Sequence, residues 1–420
     1  MYQNNRLQGK FAMKFILNRN MGILLSGQLV SQIGDKFYLL ALSFWVLDTT
    51  NSPAMMGVVM ACSLIPSLIL GFVSGAFIDR YNRKAIIVGT DALRGIIVSI
   101  VAVCYYFDSL NLPVVLGTQI LLSVNAAFFD PTIPTVIPQI VEEKNLARAN
   151  STTQFIRGTS SIAGPMLGGI AVAGFGYSFV FIFNAVSFFV SAFFELFLKI
   201  PPLENRSEDR NSVKQDIIEG YRYMISTRAL MLILLMVGVI HFFVGSIEVI
   251  IPVMAKRLGG NGAQNLGYLQ ALFGSGIVLM ALIISFRSID GKEEKFLFGG
   301  VFFIGLVLIS ISLLSAAGIM SVLPYLPLFL LLGMFVIIAG TSFQTILQKN
   351  IPNHMAGRAF GLVSSVGNGS IPMAMLIYGF LLTYISYYNL LIISGLLLLP
   401  LSYLCYRKYK GVGNVWQTEN

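Results

Sequence analysis

The chain has 420 residues, 56% of them hydrophobic and 11% charged, with 40 glycines and 32 phenylalanines and a mean hydropathy of +0.78. Soluble domains carry roughly 25% charged residues, so this composition excludes a water-soluble globule and describes an integral membrane protein. The net charge of +9 is compatible with nucleic acid or with membrane topology, and the placement of the basic residues decides between them.

In chain order, apolar runs between charged or Pro/Gly-marked breaks predict twelve spans, at about 20–47, 54–78, 85–107, 113–138, 153–174, 177–198, 229–252, 266–286, 296–317, 322–347, 358–383 and 387–406. Each is close to the roughly 20 apolar residues that a bilayer-crossing helix needs, and together they leave no room for a separate soluble domain. The first span is too long, and too polar at Asp35 and Lys36, for a cleaved signal peptide, and no small-residue cleavage site follows it.

An even number of spans puts both termini on one side. That side holds Arg6, Lys10, Lys14 and Arg19, the basic loops around 80–84, 144–157, 199–228, 287–295 and 349–358, and the tail with Arg407, Lys408 and Lys410. The opposite loops carry essentially Lys256 and Arg257 alone. The positive-inside rule then makes both termini cytoplasmic. It also accounts for the basic balance with no nucleic-acid partner, and the expected location is a bacterial plasma membrane.

Cys62, Cys104 and Cys405 show no CxxC spacing, and His241 and His354 form no HExxH pattern, so neither a disulfide framework nor a metal site is expected. No GxxxxGK[ST] segment occurs, which argues against ATP drive within this polypeptide. An intramembrane prenyl or glycosyl transferase would need clustered acids of the DDxxD kind. The nearest clusters, Glu142-Glu143 and Glu293-Glu294, lie in loops beside lysines, so an enzyme is not expected.

The long polar stretch divides the chain into an N-terminal block 1–198, a cytoplasmic linker 199–228 and a C-terminal block 229–420. Overlaying the blocks gives three matches at offsets of 211 to 214 residues: Asp79 with Asp290, Pro138 with Pro352, and Asp35 with Glu248. Their agreement predicts a duplicated six-helix unit. Two inexact halves around a midplane site fit a rocking carrier better than a passive channel.

Between spans 2 and 3 the chain reads GFVSGAFIDRYNRKAIIVG, with Gly75, Asp79, Arg80, Arg83 and Lys84 in a G-x-x-x-D-R-x-x-R-K pattern. Gly75 permits close helix approach, Asp79 suits the positive N-terminal end of another helix, and the basics hold the loop at the cytoplasmic surface. This segment resembles the signature loop of the major facilitator superfamily, which usually has a glycine where Asn82 stands here. Span 5, RGTSSIAGPMLGGIAVAGFG, resembles the antiporter motif of drug-exporting members, with Gly164, Pro165, Gly168 and Gly169 at its core.

QIGDKFYLLAL, DALRG, FFDPTIPTVIPQIVEEKNLARAN and QKNIPNHMAGRAFG resemble the subgroup of macrolide-efflux proteins and the enterobactin exporter. The resemblance implies an all-α membrane fold of twelve helices in two pseudo-symmetric six-helix bundles, with alternating access and export driven by the proton gradient. Span 4 lacks the buried arginine that other drug/proton antiporters carry, so coupling through that residue is not implied.

Ionisable groups inside a span cost roughly 2.5–3.5 kcal/mol on insertion scales and face the bundle interior. Asp35, near the middle of span 1, is the first choice for a protonation or cationic-substrate site; a fixed ion pair with Lys36 or Arg94 is the alternative. Glu248 holds the equivalent place in span 7. His241 can relay protons or be simply hydrogen-bonded. Asp91 and Arg94, three residues apart, share a helix face and favour a structural pair over a substrate site. Asp130 could meet Arg80 or Arg83, forming with Asp79 a cytoplasmic latch. Phe37, Tyr38, Trp45, Phe242 and Phe243 lie next to these acids in sequence.

The sequence therefore predicts a secondary active exporter of amphipathic small molecules, of macrolide or multidrug type. Export of an endogenous metabolite such as a siderophore is the alternative, and an intramembrane transferase a remote one. The expected partners are substrate and membrane lipid, with no cofactor and no obligatory protein partner.

Overall fold

A computed structural model of the protein describes residues 18–142, 145–200, 228–286, 291–350 and 356–416. All the regular structure among them is helical: α1 Arg19–Thr50, α2 Pro53–Cys62, α3 Ile65–Arg80, α4 Arg83–Tyr106, α5 Leu112–Ile140, α6 Leu146–Glu195, α7 Arg228–Arg257, α8 Gly262–Phe286, α9 Glu293–Ala316, α10 Tyr325–Asn350, α11 Ala356–Tyr384 and α12 Tyr387–Trp416. Most of the linker expected at 199–228 lies outside the described residues, as do Asp290, His354 and the terminal basic residues before Asn18.

Among the described residues ten stretches are long and apolar enough to cross a membrane, against twelve predicted spans, and local chemistry explains the difference. α1 is not among the ten, because Gln28, Gln32, Asp35 and Lys36 interrupt its apolar run. Predicted spans 5 and 6 run together in α6, whose apolar stretch Phe155–Glu195 has 41 residues. A straight helix of that length would extend about 60 Å, twice the hydrocarbon thickness. Gly176 breaks it, with φ 78° and ψ 178°, a backbone conformation that side-chain-bearing residues rarely adopt. Predicted span 2 is split between α2 and α3, because Pro66 in the first turn of α3 has no N–H to bond the carbonyl four residues back, at the end of α2, and its ring crowds that carbonyl. Ser67 N–H then donates to Ser123 Oγ of α5 at 3.0 Å.

The chain falls into two compact units, one of Met1–Val46 with Cys62–Ser207 and one of Leu47–Ala61 with Glu208–Asn420. The break between α2 and α3 coincides with one of these divisions, and α1 passes through another without interruption.

In the first unit, α1 lies along both halves of α6. The span-5 glycines make the first contact: a Cβ on Gly168 would stand 3.0 Å from Phe37 Cα, and one on Gly164 would meet the Lys36 side chain. Further along, Gly34 seats against Asn184 and Ser187, and Gly27 against Ser191. α4 packs on the second half of α6 through Gly95 and the Phe189 ring, and Asn125 of α5 donates to the Thr90 carbonyl of α4 at 3.1 Å. An apolar cluster that includes Met21, Leu24, Ile87, Phe129, Ile133, Ile137 and Leu198 closes one end. There Asn20 exchanges hydrogen bonds with the backbone of Lys199 at 2.9 and 3.2 Å.

In the second unit the pairing repeats helix by helix. α7 packs on α11 where Gly245 meets the Ile371 backbone, α8 on α10 where Gly276 meets Leu330 and Gly333 meets Phe273, and α9 on α12 where Gly305 meets Gly395. Lipid gives no hydrophobic force between helices, so close backbone approach at small residues carries the association.

Asp48 and Lys256 form an ion pair of 2.7 Å in this unit, and Lys256 Nζ also donates to the Leu47 carbonyl at 3.1 Å. With their side chains 45% and 34% exposed, the pair contributes about 0–1 kcal/mol. Lys256→Met is therefore expected to shift the thermal unfolding midpoint of the purified protein only marginally; a large drop would show that the pair is part of a tighter network.

Candidate functional site: buried charge in the first unit

α4 supplies the central group. Asp91 is fully buried and Arg94, one turn on, is 12% exposed, with 3.6 Å between Arg94 Nη1 and Asp91 Oδ1. The guanidinium lies 4.3 Å from the Phe129 ring centroid of α5 and 5.7 Å from that of Phe188 of α6. A desolvated cation over an aromatic face is stabilised by the ring quadrupole, so two rings and one carboxylate hold Arg94. The expected Asp91–Arg94 pairing is thus present.

Asp35 of α1 is exposed in the structure and lies within the electrostatic reach of Arg94 and Lys36, which attract it, and of Asp130, which repels it. Three residues on, Tyr38 is 2% exposed and accepts a hydrogen bond from Gln119 Nε2 of α5 at 2.9 Å. Phe37, Tyr38 and Trp45, the aromatics next to Asp35 in sequence, are all buried, at 7%, 2% and 7% exposure. They are packing residues of the helix, with Phe37 stacked on Phe183 at 5.2 Å and Tyr38 edge-on to Phe181 at 5.6 Å.

At the predicted loop, Asn82 caps α4 by accepting from the N–H groups of Lys84 and Ala85 at 2.9 and 3.2 Å. Asparagine suits this place because its side-chain oxygen satisfies donors that the helix start leaves open; the glycine usual in the signature loop has no such oxygen. Arg83 Nη1 donates to the Thr135 carbonyl of α5 at 3.0 Å, in a stretch where Pro131, Pro134 and Pro138 thin out the helical ladder. Asp130 is exposed, five residues before that carbonyl, and Lys84 is half-buried. The side chains of Gly75, Asp79 and Arg80 lie outside the described residues. Of the span-5 motif, Gly164, Gly168 and Gly169 are buried and Pro165 half-buried, and Gly164 and Gly168 make the α1 contact described above.

In the second unit, His241 and Glu248 are half-buried on α7. His241 Nδ1 lies 2.9 Å from the Val237 carbonyl. A carbonyl only accepts, so this nitrogen carries a hydrogen. The ring packs on α11, where a Cβ on Gly367 would stand 3.0 Å from Nε2. Phe242 is edge-on to Tyr378 at 5.8 Å.

One residue that sequence reading passed over joins the Asp91 cluster. Glu195, near the end of α6, is fully buried and lies within electrostatic reach of both Asp91 and Arg94. It belongs to a polar stripe on α6 with Asn184, Ser187 and Ser191, all at 0–2% exposure and spaced three or four residues apart, hence on one helix face. That spacing within an otherwise apolar run was the available signal. A cleft of about 230 Å³ between α9 and α12, lined by Lys295, Phe298, Phe302, Tyr403 and Tyr406 among others, contains none of the predicted site residues. Among the described residues no group of three or more metal-ligating side chains occurs.

Long apolar helices packed through small residues around enclosed charge define a polytopic membrane protein. The family model described as Major Facilitator Superfamily matches residues 24–375, and the chain belongs to that family; it is a transporter and not an enzyme. Macrolide efflux protein A of Streptococcus pyogenes is 21% identical over 383 residues, covering 90% of this chain and 93% of its own. The staphyloferrin A transporter of Staphylococcus aureus is 21% identical over 359 residues, covering 84% and 86%. A crystal structure of a bacterial homologue of the iron transporter ferroportin superposes with a TM-score of 0.72 at 17% identity, covering 94% of this chain and 99% of the other, which shows the shared fold.

Proposed function

We propose that the protein exports amphipathic small molecules of the macrolide or multidrug type from the bacterial cytoplasm across the plasma membrane, by proton antiport and alternating access, with both termini cytoplasmic. The observation that carries this reading is the enclosed charge of the first unit: two fully buried acids beside one arginine, and Asp35 exposed within their field. Acids held in a span at a cost of a few kcal/mol each mark ion or substrate paths, and an exchangeable proton is the cheapest way to neutralise them. The likeness to a macrolide efflux protein supports the substrate class.

The test is accumulation of radiolabelled erythromycin and of ethidium in cells with and without the protein, in the presence and absence of a protonophore. Lower accumulation that the protonophore abolishes is the expected result. Equal accumulation of both probes overturns the drug reading. The next assay is then siderophore in the culture medium, a substrate class favoured by the likeness to the staphyloferrin A transporter.

A further inference from the structure

Asp91 and Glu195 come from different helices, α4 and α6, and each is completely excluded from solvent. None of their four carboxyl oxygens has a hydrogen-bond partner. Ser191, whose hydroxyl is also fully buried and makes no hydrogen bond, is the side-chain donor close to both carboxyls. Arg94 is the cation of the cluster, at 3.6 Å from Asp91, and its guanidinium face is occupied by Phe129 and Phe188.

Among the described residues, the other charged groups acting on the cluster are Asp35 of α1 and Asp130 of α5, both acidic, and Lys36 of α1 acts in turn on Asp35. With both acids ionised, the enclosed cluster is one positive charge short. Buried carboxylates without donors carry a large desolvation penalty, and like charges brought together in a dry site resist joint ionisation.

We infer that Asp91 and Glu195 form a proton-binding pair, in which one proton is shared between two carboxyls beside Arg94. Binding forms one O–H bond on a carboxylate oxygen and removes one of the two negative charges beside Arg94. Release returns the proton to water, and no electrons move. One proton makes the Asp91–Arg94–Glu195 cluster neutral.

The pair sits where helix movement would be felt. Gly27 of α1 packs directly on Ser191, with a Cβ position only 2.9 Å from its Oγ, and the same face of α1 carries Gly34 against Asn184 and Ser187. A shift of α1 against α6 therefore changes the surroundings of the pair together with those of Asp35. The use of this proton in transport rests on the antiport reading above; the existence of the proton site does not.

The test is infrared difference spectroscopy of the full-length protein, purified in detergent in sodium-free choline buffer and titrated between acid and alkaline pH. The wild type is expected to show the carbonyl stretch of a protonated carboxylic acid that exchanges slowly in D2O. This band is lost in Glu195→Gln and lost equally in Asp91→Asn, and Glu195→Asp restores it with an altered titration midpoint. Loss from both single variants is the mark of sharing, since two independent acids would each remove only their own band.

A slow-exchanging band unchanged in both variants overturns the proposal, as does a band that sodium ions abolish at constant pH, which would make the cluster a metal-cation site. Where Asp91→Asn does not fold, loss of the band in Glu195→Gln with its return at a shifted midpoint in Glu195→Asp supports the proton site, and an unchanged band in Glu195→Gln overturns it. Erythromycin efflux in cells separates the two readings. A band present with efflux indifferent to protonophore sinks antiport and leaves the proton site standing, whereas protonophore-sensitive efflux with the band unchanged in the variants sinks the site and leaves antiport.

Discussion

Cells making Asp35→Asn are expected to accumulate erythromycin and ethidium to the level of cells lacking the protein, while the variant is inserted and folded in normal amount. Asp35 lies midway along the 32-residue α1, about 23 Å of helix from either end. It is exposed although every position from Phe37 to Leu47 except Leu39 is buried. An acid at such a depth is costly, and its immediate neighbours Gly34 and Phe37 are committed to contacts with α6, so the carboxylate itself is spared from packing. Asparagine keeps the shape and removes the titrating group, which separates charge from structure. Export by Asp35→Asn that matches the wild type and still responds to protonophore would remove Asp35 from the coupling path.

Gly276→Ala and Gly333→Ala are each expected to lower the thermal unfolding midpoint of the purified protein markedly, equivalent to about 1–3 kcal/mol for inserting a methyl group into a closed interface. A Cβ on Gly276 would lie 2.9 Å from the Leu330 carbonyl carbon and 3.1 Å from Met334 N. One on Gly333 would lie 2.9 Å from the Phe273 carbonyl carbon and 3.1 Å from Ile277 N. These are backbone atoms, so no side-chain rotation relieves the clash, and α8 and α10 must separate. Gly340→Ala, on α10 where nothing stands within 4 Å of the new methyl, is the control and is expected to hold or raise the midpoint, because alanine is the better helix former. Equal effects at Gly276 and Gly340 would show that the reciprocal contact is unimportant.

The span pattern was legible because lipid imposes a strong rule on each segment: a spanning helix must be apolar over its whole length. Eleven of the twelve predicted spans overlap the apolar stretches of the structure, with spans 5 and 6 merged in one of them. The span-5 glycines were also legible as packing residues, since small side chains at spacings of about four have few other uses in a membrane helix. Asp35 stood out because a charge in an apolar run is conspicuous. The Asp91–Arg94 pair followed from a spacing of three on one helix.

What sequence left open involves contacts between segments distant in the chain. Glu195 sits at the end of its span, where an acid reads as interfacial, and only the packing of α4 on α6 encloses it with Asp91, 104 positions earlier. The aromatics around Asp35 gave no sign of which way they face; the structure turns Phe37, Tyr38 and Trp45 into the helix packing.

The sequence by itself determined that the protein lives in the membrane, where its helices run and which few charges they carry, because hydropathy and charge are local properties summed along a segment. The tertiary structure alone decided which of those charges share an enclosure and which remain exposed on their helices. Enclosure depends on close approach between helices, and that is set by the fit of glycine against backbone across an interface.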